Sequence, residues 1–275
     1  MISVLIRTFN SAKTLPKVMA RLALSPGDEI IVVDSGSTDA TLQIAQGSGA
    51  RIVPAPSPFN YSKSLNLGFQ AAKNPWVLVL SSHATPQNPN FLELYRAEIT
   101  HLPGNVAVIY GPSTITGKSG LSEAENKISF HSKDNFQKII HLCGNGNAFY
   151  RKAVWETLRF DENIRTAEDK IWLLTALDHG YDFAFLPEAC TLNQNQASLR
   201  YMYRKGYGDA KAAPRSASHR PMGLYQLGGA LKNQTLPRLR GEIDHGNWLR
   251  YSAHILGQFF GSRGEQNNHP GYLSK

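Results

Sequence analysis

Apolar runs recur along the first 115 residues at intervals that suit strands alternating with helices. Residues 2–7, 30–34, 51–53, 76–80 and 106–110 are short and rich in Val, Ile and Leu. They are continuous rather than alternating, the pattern of strands buried on both faces of a parallel sheet. Between the first two, Leu15, Val18, Met19 and Leu22 fall at helical spacing on one face. This alternation predicts a doubly wound, mostly parallel α/β sheet. No Gly-x-Gly-x-x-Gly follows the first strand and no Walker A pattern occurs, so neither phosphate loop accounts for it.

Residues 116–135 are polar, rich in Lys, Ser and Gly, and read as a mobile insertion between a first half, 1–115, and a second, 116–195. The second half holds a short apolar piece at 148–150, a helix over 152–158 and a helix that starts at Thr166-Ala-Glu-Asp169 and closes at Gly180. A strand over 183–186 ends it. Beyond Asn195 the texture turns helical, which predicts a C-terminal extension over 196–275. Its first helix carries Arg200, Tyr203, Arg204, Tyr207 and Lys211. Its second carries an apolar stripe of Trp248, Tyr251, Ile255, Leu256 and Phe259. Packing on the α/β body and insertion into a membrane interface both suit that stripe.

With 41% hydrophobic and 18% charged residues, the 275-residue chain has the composition of a globular protein. No apolar run approaches the roughly 20 residues needed to cross a bilayer, and the chain opens on a strand instead of a leader, so a cytoplasmic location is expected. Cys143 and Cys190 lack metal or redox spacing and read as reduced thiols. The net charge of +8 is uneven: residues 1–198 hold 17 basic and 17 acidic side chains, residues 199–263 hold 11 and three. Such a segment suits an anionic membrane surface, a lipid-diphosphate acceptor or an acidic polymer; a solvated face is the alternative. Nucleic acid is not an expected partner, because no recognised binding motif accompanies the charge.

Several polar clusters sit where strands end. Asp34-Ser-Gly-Ser-Thr-Asp39 closes the second strand, at the carboxyl end where open α/β sheets bind ligands, although turn and cap roles also suit these residues. Thr8-Phe-Asn10 closes the first and offers an aromatic face between two polar groups. Lys63 and Asn66 lie in the first turns of a helix, where a phosphate could be met. Ser81-Ser-His83 follows the fourth strand, Cys143-Gly-Asn-Gly-Asn-Ala148 turns tightly, and Ala167-Glu-Asp169 opens a helix.

In this order the clusters resemble the family 2 glycosyltransferases with their GT-A fold, over residues 1–190. The resemblance implies an inverting transfer from a nucleotide-diphospho-sugar donor to a glycan or lipid-diphosphate-linked acceptor in surface polysaccharide synthesis, at the inner face of the membrane. It assigns Thr8, Asn10 and Asp34 to the nucleoside and Lys63 or Asn66 to the phosphate or base. Gly144, Asn145 and Asn147 are assigned to the sugar. Asp169 is the implied general base, with Glu168 supporting it or binding acceptor; a capping box from Thr166 to Asp169 fits the same residues. Where the family carries Asp-x-Asp for Mn²⁺ or Mg²⁺, this chain has Ser81, Ser82 and His83. His83 is either a metal ligand, or it binds the diphosphate with Ser82 while Arg215 or Lys211 supplies charge. A non-catalytic protein that binds nucleotide-sugar or glycan on the same scaffold is the rival expectation.

Overall fold

Four of the apolar runs become the parallel strands β1 (Ile2–Thr8), β2 (Glu29–Asp34), β3 (Arg51–Pro54) and β4 (Trp76–Ser81), side by side in the order β3-β2-β1-β4. The computed structural model describes residues 1–114, 117–118, 127–136, 139, 142–164 and 167–194. Beyond these it describes residues 198–200, 202–203, 206–207, 227, 230–232, 239, 249, 252–256, 258 and 260. Successive side chains of a strand point to opposite faces, and in β1 both sets are buried. Val4 and Ile6 join a core with Leu15 and Val18 of α1 (Leu15–Met19), Ala45 of α2 (Thr41–Gly47), and Phe91, Leu92 and Tyr95 of α4 (Phe91–Ile99). Leu5 joins the opposite core, built with α3 (Tyr61–Ala71), α5 (Lys152–Thr157) and α6 (Glu168–Asp178), through Leu65, Phe69, Trp155 and Trp172. Each fully buried Leu, Ile or Phe contributes roughly 1.5–3 kcal/mol relative to exposure, which explains why these runs carry no alternation.

The sheet continues through β9 (Asn147–Arg151), β6 (Val106–Tyr110), β10 (Asp182–Phe185) and β8 (Ser129–His131) to eight strands. β6 and β10 share the direction of the first four, whereas β9 runs antiparallel to both β4 and β6, and β8 antiparallel to β10. The expected doubly wound, mostly parallel sheet is thus present with one reversed strand in its middle. Part of the polar stretch 116–135 is ordered as β8, an edge strand, and residues 119–126 lie outside the described residues. A second sheet of β5 (Ala84–Pro86), β11 (Thr191–Asn193) and β7 (Ser113–Thr114) closes over the end of β4. Cys143 and Cys190 are buried free thiols, and burial pushes the Cys190 thiol up to about 11.

The chain divides into two compact units, 1–194 and 195–275. In the second, Met202 and Ile255 are buried, and Tyr203 stacks on Tyr207 with ring centroids 6.5 Å apart and lies 6.4 Å from Phe260. Gly206 approaches the His254 carbonyl too closely to admit a side chain. Tyr203 and Gly206 thus meet Phe260 and His254. Ile255 is buried while Leu256 is exposed; Trp248, Tyr251 and Phe259 of the expected stripe lie outside the described residues. Among the described residues no helix is long and apolar enough to cross a membrane.

Helix α3 lies directly on β1, because Gly68 faces Leu5 with no space for a Cβ. Two residues earlier, Asn66 is buried and fully bonded. Its Nδ2 donates to the Phe160 carbonyl and to Glu162 Oε1, both at 3.0 Å; its Oδ1 accepts from Trp155 Nε1 at 3.0 Å and from the Phe160 amide at 3.2 Å. These bonds occupy the Asn66 amide, which joins α3 to the chain after α5. Replacing it by Ala strands two buried N–H donors, at about 1–3 kcal/mol for each unsatisfied group. Asn66→Ala should therefore lower urea-unfolding stability by about 2–4 kcal/mol, with nucleotide affinity of the folded protein unchanged by calorimetry. Stability within experimental error of the wild type would refute the bridging role.

Candidate active site

Thr8 and Asp34 are register partners at the ends of β1 and β2. The Thr8 hydroxyl donates to Asp34 Oδ1 at 2.8 Å, as does the Ser37 hydroxyl at 2.5 Å. The Gly36 and Ser37 amides donate to Oδ2 at 3.0 and 2.8 Å. A carboxylate offers about four acceptor positions, so Asp34, buried at 6% exposure, is occupied as the anchor of its own turn. Gly36, at φ +83°, provides the left-handed residue that the turn needs. Asn10, itself left-handed at φ 47°, accepts from the Thr38 amide at 2.8 Å and donates its own amide to Ser37 Oγ at 2.9 Å. Asp39 binds the first turn of α2 and the Ala12 amide. Slight burial would raise its carboxyl, but the hydrogen bonds from Thr41 and Ala12 outweigh that and hold it below the usual range. The two strand-end loops are thereby laced into one rim, on which Phe9 stands half exposed.

At the end of β4, Ser82 is buried with its hydroxyl 2.8 Å from that of Ser11. His83 follows, its carbonyl accepting from the Gln194 amide at 2.9 Å as the chain enters β5. Lys63 stands half exposed at the start of α3, with its ammonium 3.9 Å from Glu162 and its amide capped by Asn60 Oδ1 at 2.8 Å. Thus the first turn of α3 reaches the strand ends through Tyr61, over whose ring the Arg7 guanidinium lies at 5.0 Å, and not through Lys63.

Because β9 is antiparallel, its first residues arrive where β1, β2 and β4 finish, and the Ser81 amide donates to the Gly146 carbonyl at 3.3 Å. The turn before β9 meets the start of α6. The Asn145 amide donates to Asp169 Oδ2 at 3.0 Å, and a Cβ on Gly144 would stand 3.2 Å from the same oxygen. Asp169 Oδ1 accepts from the Lys170 amide at 2.8 Å. Thr166, the other half of the expected capping box, lies outside the described residues, and α6 is preceded by Ala167 in a left-handed conformation.

Glu168, expected to support the base or bind acceptor, is 8% exposed. Its Oε1 is 3.2 Å from Arg7 Nη1 and accepts from Asn145 Nδ2 at 3.4 Å. Asn145 Oδ1 accepts in turn from the Tyr150 hydroxyl at 2.6 Å, whose phenol burial and the nearby Asp169 push well above its ordinary value. Asn145 is therefore a support for the two carboxylates. Asn147, expected to meet sugar, is wholly buried: it accepts from Tyr95 Oη at 2.7 Å and donates to the Ala189 carbonyl at 2.6 Å. The residues brought together are Arg7, Gly144, Asn145, Tyr150, Glu168 and Asp169. Arg7 and Tyr150 were not singled out from sequence. A cation inside an otherwise uncharged buried strand was the signal for Arg7, since such a charge requires a partner.

Two consecutive carboxylates thus stand in different states. Glu168 is buried and paired with Arg7, while Asp169 is partly open and accepts from the Asn145 and Lys170 amides. This arrangement can accept one proton from a hydroxyl placed at the strand ends.

A family model described as Glycosyl transferase family 2 matches residues 3–159. An uncharacterized glycosyltransferase of Mycobacterium tuberculosis (strain ATCC 25618 / H37Rv) is 35% identical over 81 residues, which are 30% of this chain and 36% of that protein. The chain therefore aligns with about a third of that relative's length. The succinoglycan biosynthesis protein ExoO of Rhizobium meliloti (strain 1021) is 24% identical over 263 residues, 87% of this chain and 73% of ExoO. Among solved structures, the glucosyl-3-phosphoglycerate synthase of Mycobacterium tuberculosis, in complex with Mn²⁺, uridine diphosphate and phosphoglyceric acid, superposes with a TM-score of 0.58 at 18% identity. It covers 82% of this chain and 81% of that one. The sheet order, the strand-end rim and a family match over more than half of the sequence agree, and the chain belongs to glycosyl transferase family 2, with a GT-A fold.

Proposed function

We propose that this protein is an inverting glycosyltransferase that moves a hexose from a nucleotide-diphospho-sugar to a hydroxyl of a glycan or lipid-diphosphate-linked acceptor. The observation that carries this reading is the contrast between the neutralised Glu168 and the partly open Asp169 at the carboxyl ends of the parallel strands. Asp169 takes the proton as the acceptor oxygen attacks the anomeric carbon from the face opposite the diphosphate. The new carbon–oxygen bond forms while the bond to phosphate oxygen breaks, and the nucleoside diphosphate leaves with that electron pair. Thr8, Asn10 and Asp34 serve the nucleoside by shaping the rim, with Phe9 offering an aromatic face to the base. Gly144 keeps the loop beside Asp169 thin enough for the sugar.

A divalent cation is present in the solved relative. Here the corresponding donors are two hydroxyls and one imidazole, and the Ser82 hydroxyl is already bonded to Ser11. Among the described residues no group of three or more His, Cys, Asp or Glu side chains could hold an ion. These donors do not fit a protein-built site for a hard cation. No step here runs through a metal.

Surface polysaccharide synthesis is supported by the likeness to ExoO. A peripheral place at the inner, anionic membrane face is supported by the 11 basic and three acidic residues of 199–263. The rival reading, a binding protein without turnover, gives Asp169 no task.

Asp169→Asn should reduce transfer by about 10²–10⁴-fold in a nucleotide-sugar panel assay, with nucleoside diphosphate affinity and melting temperature retained. Turnover at the wild-type rate would sink the base assignment. Asp34→Ala releases four hydrogen bonds of the rim. Calorimetry with uridine and guanosine diphosphates should show the dissociation constant of the bound nucleotide rise by roughly tenfold, about 1.4 kcal/mol; an unchanged constant would detach the rim from nucleotide binding. For His83→Ala, any effect of Mn²⁺ on that affinity should equal the wild-type effect, and its selective loss would restore His83 as a ligand.

A further inference from the structure

We propose that Arg7 is a positioning residue for proton transfer: by holding the charge of Glu168 it leaves Asp169 as the carboxylate that receives the acceptor proton. This rests on the reading of Asp169 as the base and adds a residue and a physical role to it. Arg7 is the one charged residue of β1, next to the last position of a strand otherwise buried among apolar neighbours. Its register partners, Val33 and Ser81, offer no counter-charge. The guanidinium instead lies over Tyr61 of α3 at 5.0 Å and meets Glu168 of α6 at 3.2 Å, with the two side chains 15% and 8% exposed. Arg7 thus joins β1, α3 and α6 at one point.

The link to Asp169 runs through Asn145, whose side chain donates to Glu168 while its main-chain N–H donates to Asp169. A carboxylate that loses its cation in such a place would repel the next one, and one of the pair would retain a proton to higher pH. A base already protonated cannot accept the acceptor's proton. Arginine suits this task because its charge persists at every working pH and its planar fork holds a carboxylate in a fixed direction.

Among the described residues, the other ionisable groups around the pair are Lys170 on α6, Tyr150 on β9, Tyr110 on β6 and Cys143 ahead of the Gly144 turn. Burial, joined by Asp169's charge, pushes both phenols and the thiol above their ordinary values, which leaves them neutral near pH 7. Among the described residues Arg7 and Lys170 are the cations here, and Arg7 meets Glu168 at 3.2 Å.

The test is a carboxyl ¹³C NMR titration of the substrate-free protein labelled at aspartate, with the Asp169 signal identified by its absence from Asp169→Asn. In Arg7→Gln the Asp169 midpoint should move to higher pH by about half a unit or more. It should return toward the wild-type value in Arg7→Gln/Glu168→Gln and stay near it in Arg7→Lys. Glu168→Gln, which needs no loss of the cation, should move the midpoint the opposite way and keeps the test decisive if Arg7→Gln does not fold. An unmoved midpoint in Arg7→Gln, or in Glu168→Gln, would overturn the inference and leave Arg7 a structural ion pair. Turnover by Asp169→Asn is a separate measurement: its persistence would overturn the base reading, whatever the titrations show.

Discussion

The burial of β1 on both faces is the constraint from which the rest follows. Val4 and Ile6 point into one core and Leu5 into the other, and hydrogen bonds to β2 and β4 occupy both edges. A strand so placed can be neither shifted nor exposed without loss of apolar burial in two layers at once, because a slip of one residue exchanges its two faces. Its carboxyl end is therefore a fixed point. Thr8, the partner Asp34 on β2 and Ser81 on β4 finish at the same level, and the loops that follow them must converge there.

The reversal of β9 supplies the second half of the site. A parallel strand in that position would bring its carboxyl end to the rim; an antiparallel one brings its beginning, together with the Gly144–Asn147 turn that precedes it. That turn meets the first residues of α6, and the close approach of Gly144 to Asp169 shows how little space separates them. Asp169 and Asn145 thus come from one local contact, while the rim of Thr8, Asn10 and Asp34 comes from another. Arg7 is the side chain that spans both, from the last residues of β1 to the first residue of α6.

Three asparagines illustrate how polar residues near a site divide between building and binding. Asn66 and Asn147 have both ends of their amides bonded inside the core. Asn145 is also buried, but it stands between the carboxylates and the Tyr150 hydroxyl. Buried amides without partners are costly, so each of these side chains had to be absorbed by a network. Which network absorbed it decides its role.

The hydrophobic pattern by itself determined the five parallel strands of the first 115 residues, the helices at 152–158 and 168–178 and the position of the strand-end loops, because continuous apolar runs and helical spacing are local properties. It also marked Asp34 and Ser82 as candidates, since polar clusters after buried strands face the ligand side of such sheets; Asn145 and Asp169 were implied by the family resemblance. The three-residue strands β5, β8 and β11 carried too few residues for any periodicity. The direction of β9 was beyond reach as well, because an apolar run reads the same in both directions. Residue chemistry alone does not separate Glu168 from Asp169, two adjacent carboxylates; the resemblance implied Asp169 as the base. The tertiary structure gives the two different surroundings, by placing Arg7, 161 positions away along the chain, against the first and the Asn145 amide against the second.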